Sequence, residues 1–104
     1  FDEAAQAAAL QFRFDPATME IARPAVAAII AASRAEEGCI TFSFAQDVMD
    51  PTLVRVFEVW RDQAALDFHR ATPHLAAWRA AQPKIGMHDR QLKIYEIASV
   101  TETL

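Results

Sequence analysis

The stretch FHRATPHLAAW, residues 68–78, sets two histidines five residues apart across a Thr-Pro break, with a tryptophan one helical turn beyond the second. Imidazole titrates close to neutral pH, so such a pair is the first place to look for proton transfer. Thr72 reads as a helix N-cap and Pro73 as the first helical residue, which puts His74 in the first turn. The positive end of that helix disfavours imidazolium, so His74 is expected to be neutral and able to take a proton from a phenol. His69 falls near the C-terminal end of the preceding helix, where imidazolium is favoured. The two are pushed apart as a base and an acid would be, with His74 the candidate base and His69 orienting or stabilising charge. The structural alternative is that both rings bond to backbone around a tight interhelical turn.

Other residues belong with this pair. Trp60 closes a strand-like segment just before the helix carrying His69, and Glu58 shares its face by the two-residue period of a strand. The flat indole is a wall on which an aromatic ring could stack, while a buried Glu58 needs a partner, with Arg55, Arg79 or a histidine as candidates. Phe42, Phe57 and Phe68 are the candidate apolar lining. A metal site ranks below these readings. Ligand pairs on one helix stand four apart rather than five across a proline, and His88 lies in a distant segment, so no metal ligands are assigned. Asp47 suits a turn cap, and Cys39 a small buried hydrophobe rather than a nucleophile.

The elements that must hold these residues follow from pattern. Phe12 and Phe14 alternate with Gln11 and Arg13 before Asp15-Pro16, ending a first strand over 7–15. Alanine-rich sequence with Ile21, Val26, Ile29 and Ile30 at helical spacing predicts a helix over 17–35 that restarts at Pro24, with Gly38 as its stop. Segments 39–47 and 52–60 are rich in β-branched and aromatic residues around an Asp50-Pro51 turn, hence a hairpin. Asp62 caps a helix from about Gln63, a second runs from Pro73 to about Ala81, and 90–100 reads as a last strand. The order β-α-β-β-α-α-β predicts an α+β, ferredoxin-like split βαβ fold, a four-stranded antiparallel sheet with its helices on one face. Both faces of the hairpin carry apolar residues. A second copy packed sheet to sheet is the expected cover, giving a homodimer.

Composition excludes several classes. The chain has 104 residues, 53% hydrophobic and 23% charged, with net charge −4 and scattered basic residues. That gives no footprint for nucleic acid or an anionic membrane, and no apolar run is long enough to span a bilayer. One domain over 1–104, with its core at about 7–100, is expected. The single cysteine suits a reducing, cytoplasmic setting. Only Gly38 and Gly86 are available for phosphate-cradling loops, so no flavin or nicotinamide motif is present and no cofactor is assigned.

The segments EEGCITFSFAQD (36–47), FEVWRDQAALDFH (57–69) and TPH (72–74), in this order and spacing, resemble the antibiotic biosynthesis monooxygenase family. That resemblance implies a dimeric α+β barrel and three possible activities. One is cofactor-independent oxygenation of a phenolic or quinol-type aromatic molecule by O2. The others are haem degradation and isomerisation of a small phosphorylated signal molecule; a reading from another class is a dimeric ligand-binding or stress protein with no turnover. Where the family has tyrosine after the glycine-cysteine pair this chain has Phe42, which removes a phenolic proton carrier. An oxygenase would want a dry aromatic pocket, an isomerase two or more arginines such as Arg13, Arg55 or Arg79, and a non-enzymatic protein a closed or featureless one.

Overall fold

The computed structural model describes residues 4–104. Its elements are β1 (Gln6–Arg13), α1 (Met19–Arg34), β2 (Cys39–Gln46), β3 (Leu53–Trp60), α2 (Gln63–Arg70), α3 (Pro73–Ala81) and β4 (His88–Glu96). Short 3-10 turns at Pro16–Thr18 and Gln82–Ile85 precede α1 and β4. The strands form one sheet in the order β2-β3-β1-β4, every neighbouring pair antiparallel. The ferredoxin-like α+β fold read from the sequence is therefore present.

Local chemistry explains the element ends. Asp15 accepts from Ala17 N at 3.0 Å, Asp62 from Ala65 N at 2.8 Å and Thr72 Oγ1 from Leu75 N at 3.3 Å, so these caps satisfy helix-start donors that would otherwise be orphaned. Asp47 binds the β2–β3 turn by accepting from Met49 N and Asp50 N at 2.8 and 2.9 Å, the capping role its position suggested. Two expectations need correction. α1 does not restart at Pro24 but runs through it, the helix giving up the bond that residue 24 would donate to the carbonyl of Glu20. β4 begins two residues earlier than pattern indicated and ends at Glu96.

The core lies between the sheet and the helices. Phe12, Val54, Val56 and Trp60 from the sheet meet Ile29, Leu66 and Trp78 from α1, α2 and α3. Each such side chain removed from water contributes roughly 1.5–3 kcal/mol. The period-two alternation sends the neighbouring residues of β3 outward, so Arg55 and Phe57 are exposed on the sheet's other face. Tyr95 of β4 pairs with Ala7 and is also exposed there. No helix of the described residues is long and apolar enough to cross a membrane.

Candidate functional site

The turn between α1 and β2 is pinned at three points. Glu36 N donates to Ser33 O at 3.1 Å, Cys39 N to Glu36 O at 3.1 Å, and Arg61 N to Gly38 O at 2.8 Å. Gly38 presses on Ala65 of α2 so closely that a Cβ would overlap the alanine methyl. This contact fixes the turn against α2 and drives the Glu36 side chain into the junction of α2 and α3.

There Glu36 Oε2 lies 2.7 Å from His69 Nδ1 and 2.8 Å from His74 Nε2. The two histidines are thus joined through a buried carboxylate rather than to the backbone. The Thr72 hydroxyl, which donates to His69 O at 2.7 Å, holds the interhelical turn that lets both rings converge. An ionised carboxylate can only accept, so this geometry calls for a proton on Nδ1 of His69 and on Nε2 of His74. His69 then presents a bare Nε2 on its far side, 3.8 Å from Glu58 Oε1. Trp60 stacks on the His69 ring with centroids 4.4 Å apart and planes 30° apart, and its Nε1 donates to Glu58 Oε1 at 3.0 Å. Burial pushes the Glu58 carboxyl above its ordinary value; the Trp60 hydrogen bond and the charge of Arg70 work in the opposite direction.

The groups form an ordered chain. His74, with a quarter of its side chain exposed, stands at the solvent end, followed by buried Glu36, buried His69 and Glu58. Glu58 and His69 reach a narrow, partly open cleft between the sheet and α2 and α3, with a cavity volume of about 70 Å³. Phe42, Phe44 and Trp78 line it, with Leu92 and Ile94 of β4 on the open side. Arg34 Nε, donating to Phe42 O at 2.9 Å, ties that part of β2 to α1.

Of the residues singled out from the sequence, His69, Glu58 and Phe42 line this cleft. His74 belongs to the network but not to the cleft wall. Trp60 has no exposed surface, so its indole supports His69 and Glu58 and cannot face a ligand. Phe57, 47% exposed, stands on the opposite face of the sheet, because it alternates with Val56 and Glu58. Phe68, 65% exposed, lies on the outer side of α2 beside Arg61 and Ala64. Among the expected partners of Glu58, Arg55 instead pairs with Asp47 at 2.7 Å on the other face; Arg13, named for the isomerase, pairs with Asp50. Burial, reinforced by Glu36 and Glu58, pushes the Cys39 thiol up, which agrees with an unreactive cysteine.

Glu36 is the residue that sequence reasoning passed over. With His69 and His74 it also makes the one group of metal-ligating type among the described residues, its donor atoms within 4.8 Å of one another. The carboxylate oxygen touches both nitrogens at hydrogen-bond distance, whereas ligands around a tetrahedral zinc stand roughly 3.3 Å apart. As it stands, the geometry is that of hydrogen bonds.

Comparison with known proteins agrees with this architecture. The family described as antibiotic biosynthesis monooxygenase matches residues 6–81. An uncharacterized protein of Synechocystis is 42% identical over 72 residues, which are 69% of this chain and 48% of that protein, so the chain spans about half the length of that relative. A candidate antibiotic biosynthesis monooxygenase from Deinococcus radiodurans superposes with a TM-score of 0.86 at 19% identity, over 95% of this chain and 98% of that one. One from Nitrosomonas europaea does so with a TM-score of 0.84 at 21% identity, over 98% of each chain. These two structures share the fold.

Proposed function

Because this chain belongs to the antibiotic biosynthesis monooxygenase family, we propose that it is a cofactor-independent monooxygenase acting on a phenolic or quinol-type aromatic molecule with O2. The observation that carries the reading is the His69–Glu58 pair on the wall of an aromatic-lined cleft, backed by a buried carboxylate and a second histidine. His69 acts as base: Nδ1–H donates to Glu36, which holds the ring with Nε2 toward the cleft, and Trp60 fixes its plane. Removal of a phenolic proton leaves an electron-rich anion able to reduce O2. Overall, a quinol and O2 give a hydroxyquinone and water. One oxygen atom enters the ring, and the other leaves as water with the two hydrogens that the ring loses. Glu58, its carboxyl raised by burial, faces His69 Nε2 across 3.8 Å at the cleft, and His74 connects the network to solvent.

A homodimer fits this reading. Phe57 and Tyr95 are exposed together on the helix-free face of the sheet, where a second copy would cover them. The substrate is a small molecule in a cytoplasmic setting, to which an unpaired Cys39 is suited. A second reading, isomerisation of a small phosphorylated molecule by the same proton carriers, draws support from Arg79, the one of the three arginines named for it that lines the cleft.

Oxygen uptake by the purified protein against a panel of dihydroquinones and polycyclic phenols tests the proposal. With 18O2, one labelled atom is expected in the product and one in water. Absence of uptake across the panel, with turnover of a phosphorylated hydroxyketone, would favour the isomerase instead.

A further inference from the structure

The cleft has a charge pattern that proton transfer does not require. Arg70 at the end of α2, Arg79 on α3 and Arg90 on β4 all border it, brought together from three separate elements. Among the described residues none of them has a carboxylate within ion-pairing distance, whereas Arg13, Arg55 and Arg61 are paired with Asp50, Asp47, and Glu37 and Asp62. Glu58 is the one acidic residue in the lining. A chain of net charge −4 therefore gathers three unpaired guanidinium groups at one cleft whose other lining residues are apolar apart from Glu58, His69 and Gln82. All three are exposed, so an approaching anion meets them from the solvent side. Guanidinium is also the group best matched to a carboxylate or phosphate, which it binds through paired hydrogen bonds.

We infer that the cleft takes a ligand with two unlike ends: an aromatic or otherwise apolar body lying over Trp78, Leu92 and Ile94, and a carboxylate or phosphate held at the Arg70, Arg79 and Arg90 rim. The inference rests on the reading that the His69–Glu58 cleft is where substrate sits. It narrows the substrate class to acidic molecules, with the anion at the mouth and the reacting hydroxyl inward, at His69. The field of the rim also attracts such a ligand from solution, an effect that weakens with salt.

The test is anaerobic isothermal titration, in which no turnover occurs, with 2,5-dihydroxybenzoate, its neutral counterpart 2,5-dihydroxyacetophenone, phenyl phosphate and benzoate. The acid is expected to bind at least about tenfold more tightly than the ketone, the ordinary gain from one charge-assisted hydrogen bond. The preference should shrink at high salt. Arg79→Gln and Arg90→Gln should each remove most of it, Arg79→Lys should keep part of it, and Arg61→Gln, on the surface by α2, should leave it unchanged. The phenyl phosphate and benzoate arms show which anion the rim prefers. Equal affinity for acid and ketone, retention of the preference in an Arg79→Gln/Arg90→Gln double variant that keeps its circular dichroism, or no saturable binding of any anion overturns the inference. Binding without oxygen uptake would remove the oxygenase reading and leave the anion rim standing. Uptake with neutral quinols alone would do the reverse.

Discussion

Glu36→Ala removes the acceptor shared by two imidazoles, and its cost can be worked from the geometry. His69 is buried, so its Nδ1 would be left without a partner, at about 1–3 kcal/mol. His74 has a quarter of its side chain in water and can replace its bond there, losing only about 0.5–1 kcal/mol. Against this, the substitution deletes a carboxylate whose other oxygen, Oε1, is buried with no hydrogen-bond partner, which returns on the order of 1 kcal/mol. The net loss is about 2 kcal/mol. For a domain of this size each kcal/mol moves the midpoint by roughly 4–8 °C, so thermal unfolding should fall by roughly 8–16 °C. Calorimetry at neutral pH reads it, with His74→Gln expected to cost less than half as much alone and almost nothing when added to Glu36→Ala. A fall of less than about 3 °C, or full additivity of the two substitutions, would mean that the carboxylate does not couple the histidines and that the chain from His74 to Glu58 is broken at its centre.

Other outcomes follow from the same geometry. His69→Ala should lower kcat by about 10² to 10⁴-fold, the usual cost of losing a general base, while His74→Ala should lower it by less than about tenfold and leave KM unchanged. Steady-state oxygen uptake distinguishes them, and equal losses would return His74 to the reacting centre. The folded-state value of Glu58 is raised above 4.5 by burial, so ionising it opposes folding. Its share of stability is therefore greatest below that pH and is lost as pH rises through the folded value. Glu58→Gln, whose amide oxygen can still accept from Trp60, should gain stability relative to the parent chain as pH is raised from 4 to 8 in melting experiments. Parallel profiles would contradict the burial argument. Phe57→Lys should convert the expected dimer to monomer in sedimentation velocity without altering the His69–Glu36 network, and a monomeric parent chain would remove the account of the sheet's exposed face.

The fold was legible because its signals are local. Aromatic alternation in 11–14, the Asp50-Pro51 turn and the Asp62 and Thr72 caps each act within a few residues, and each is found where pattern placed it. The histidines were legible through the Thr-Pro start of α3. Glu36 was not, since it occupies a turn with no periodicity and meets its partners 33 and 38 residues along the chain. An acidic residue before a glycine reads as a solvated helix end. The arginine rim was hidden for the same reason, being assembled from three elements. Phe57 and Phe68 were a different matter. A strand cannot point Phe57 and Glu58 to one side, and with Ala65, Leu66 and His69 buried on α2, residue 68 must face away. Period alone separates them from the pocket.

The close seat of Gly38 on Ala65 bears on how this protein could diverge. Glu36 and His69 sit on the α1–β2 turn and on α2, held at a distance set by the Gly38 backbone and the Ala65 methyl group. The cleft's selective edge is carried mainly by α3 and β4, which do not share that lock. Exchanges at Arg79, Arg90, Leu92 or Ile94 would retune what enters while the spacing of Glu36 and His69 stayed as it is. One chassis of this kind can serve many ligands, and a library confined to those four positions is the economical way to look for new ones.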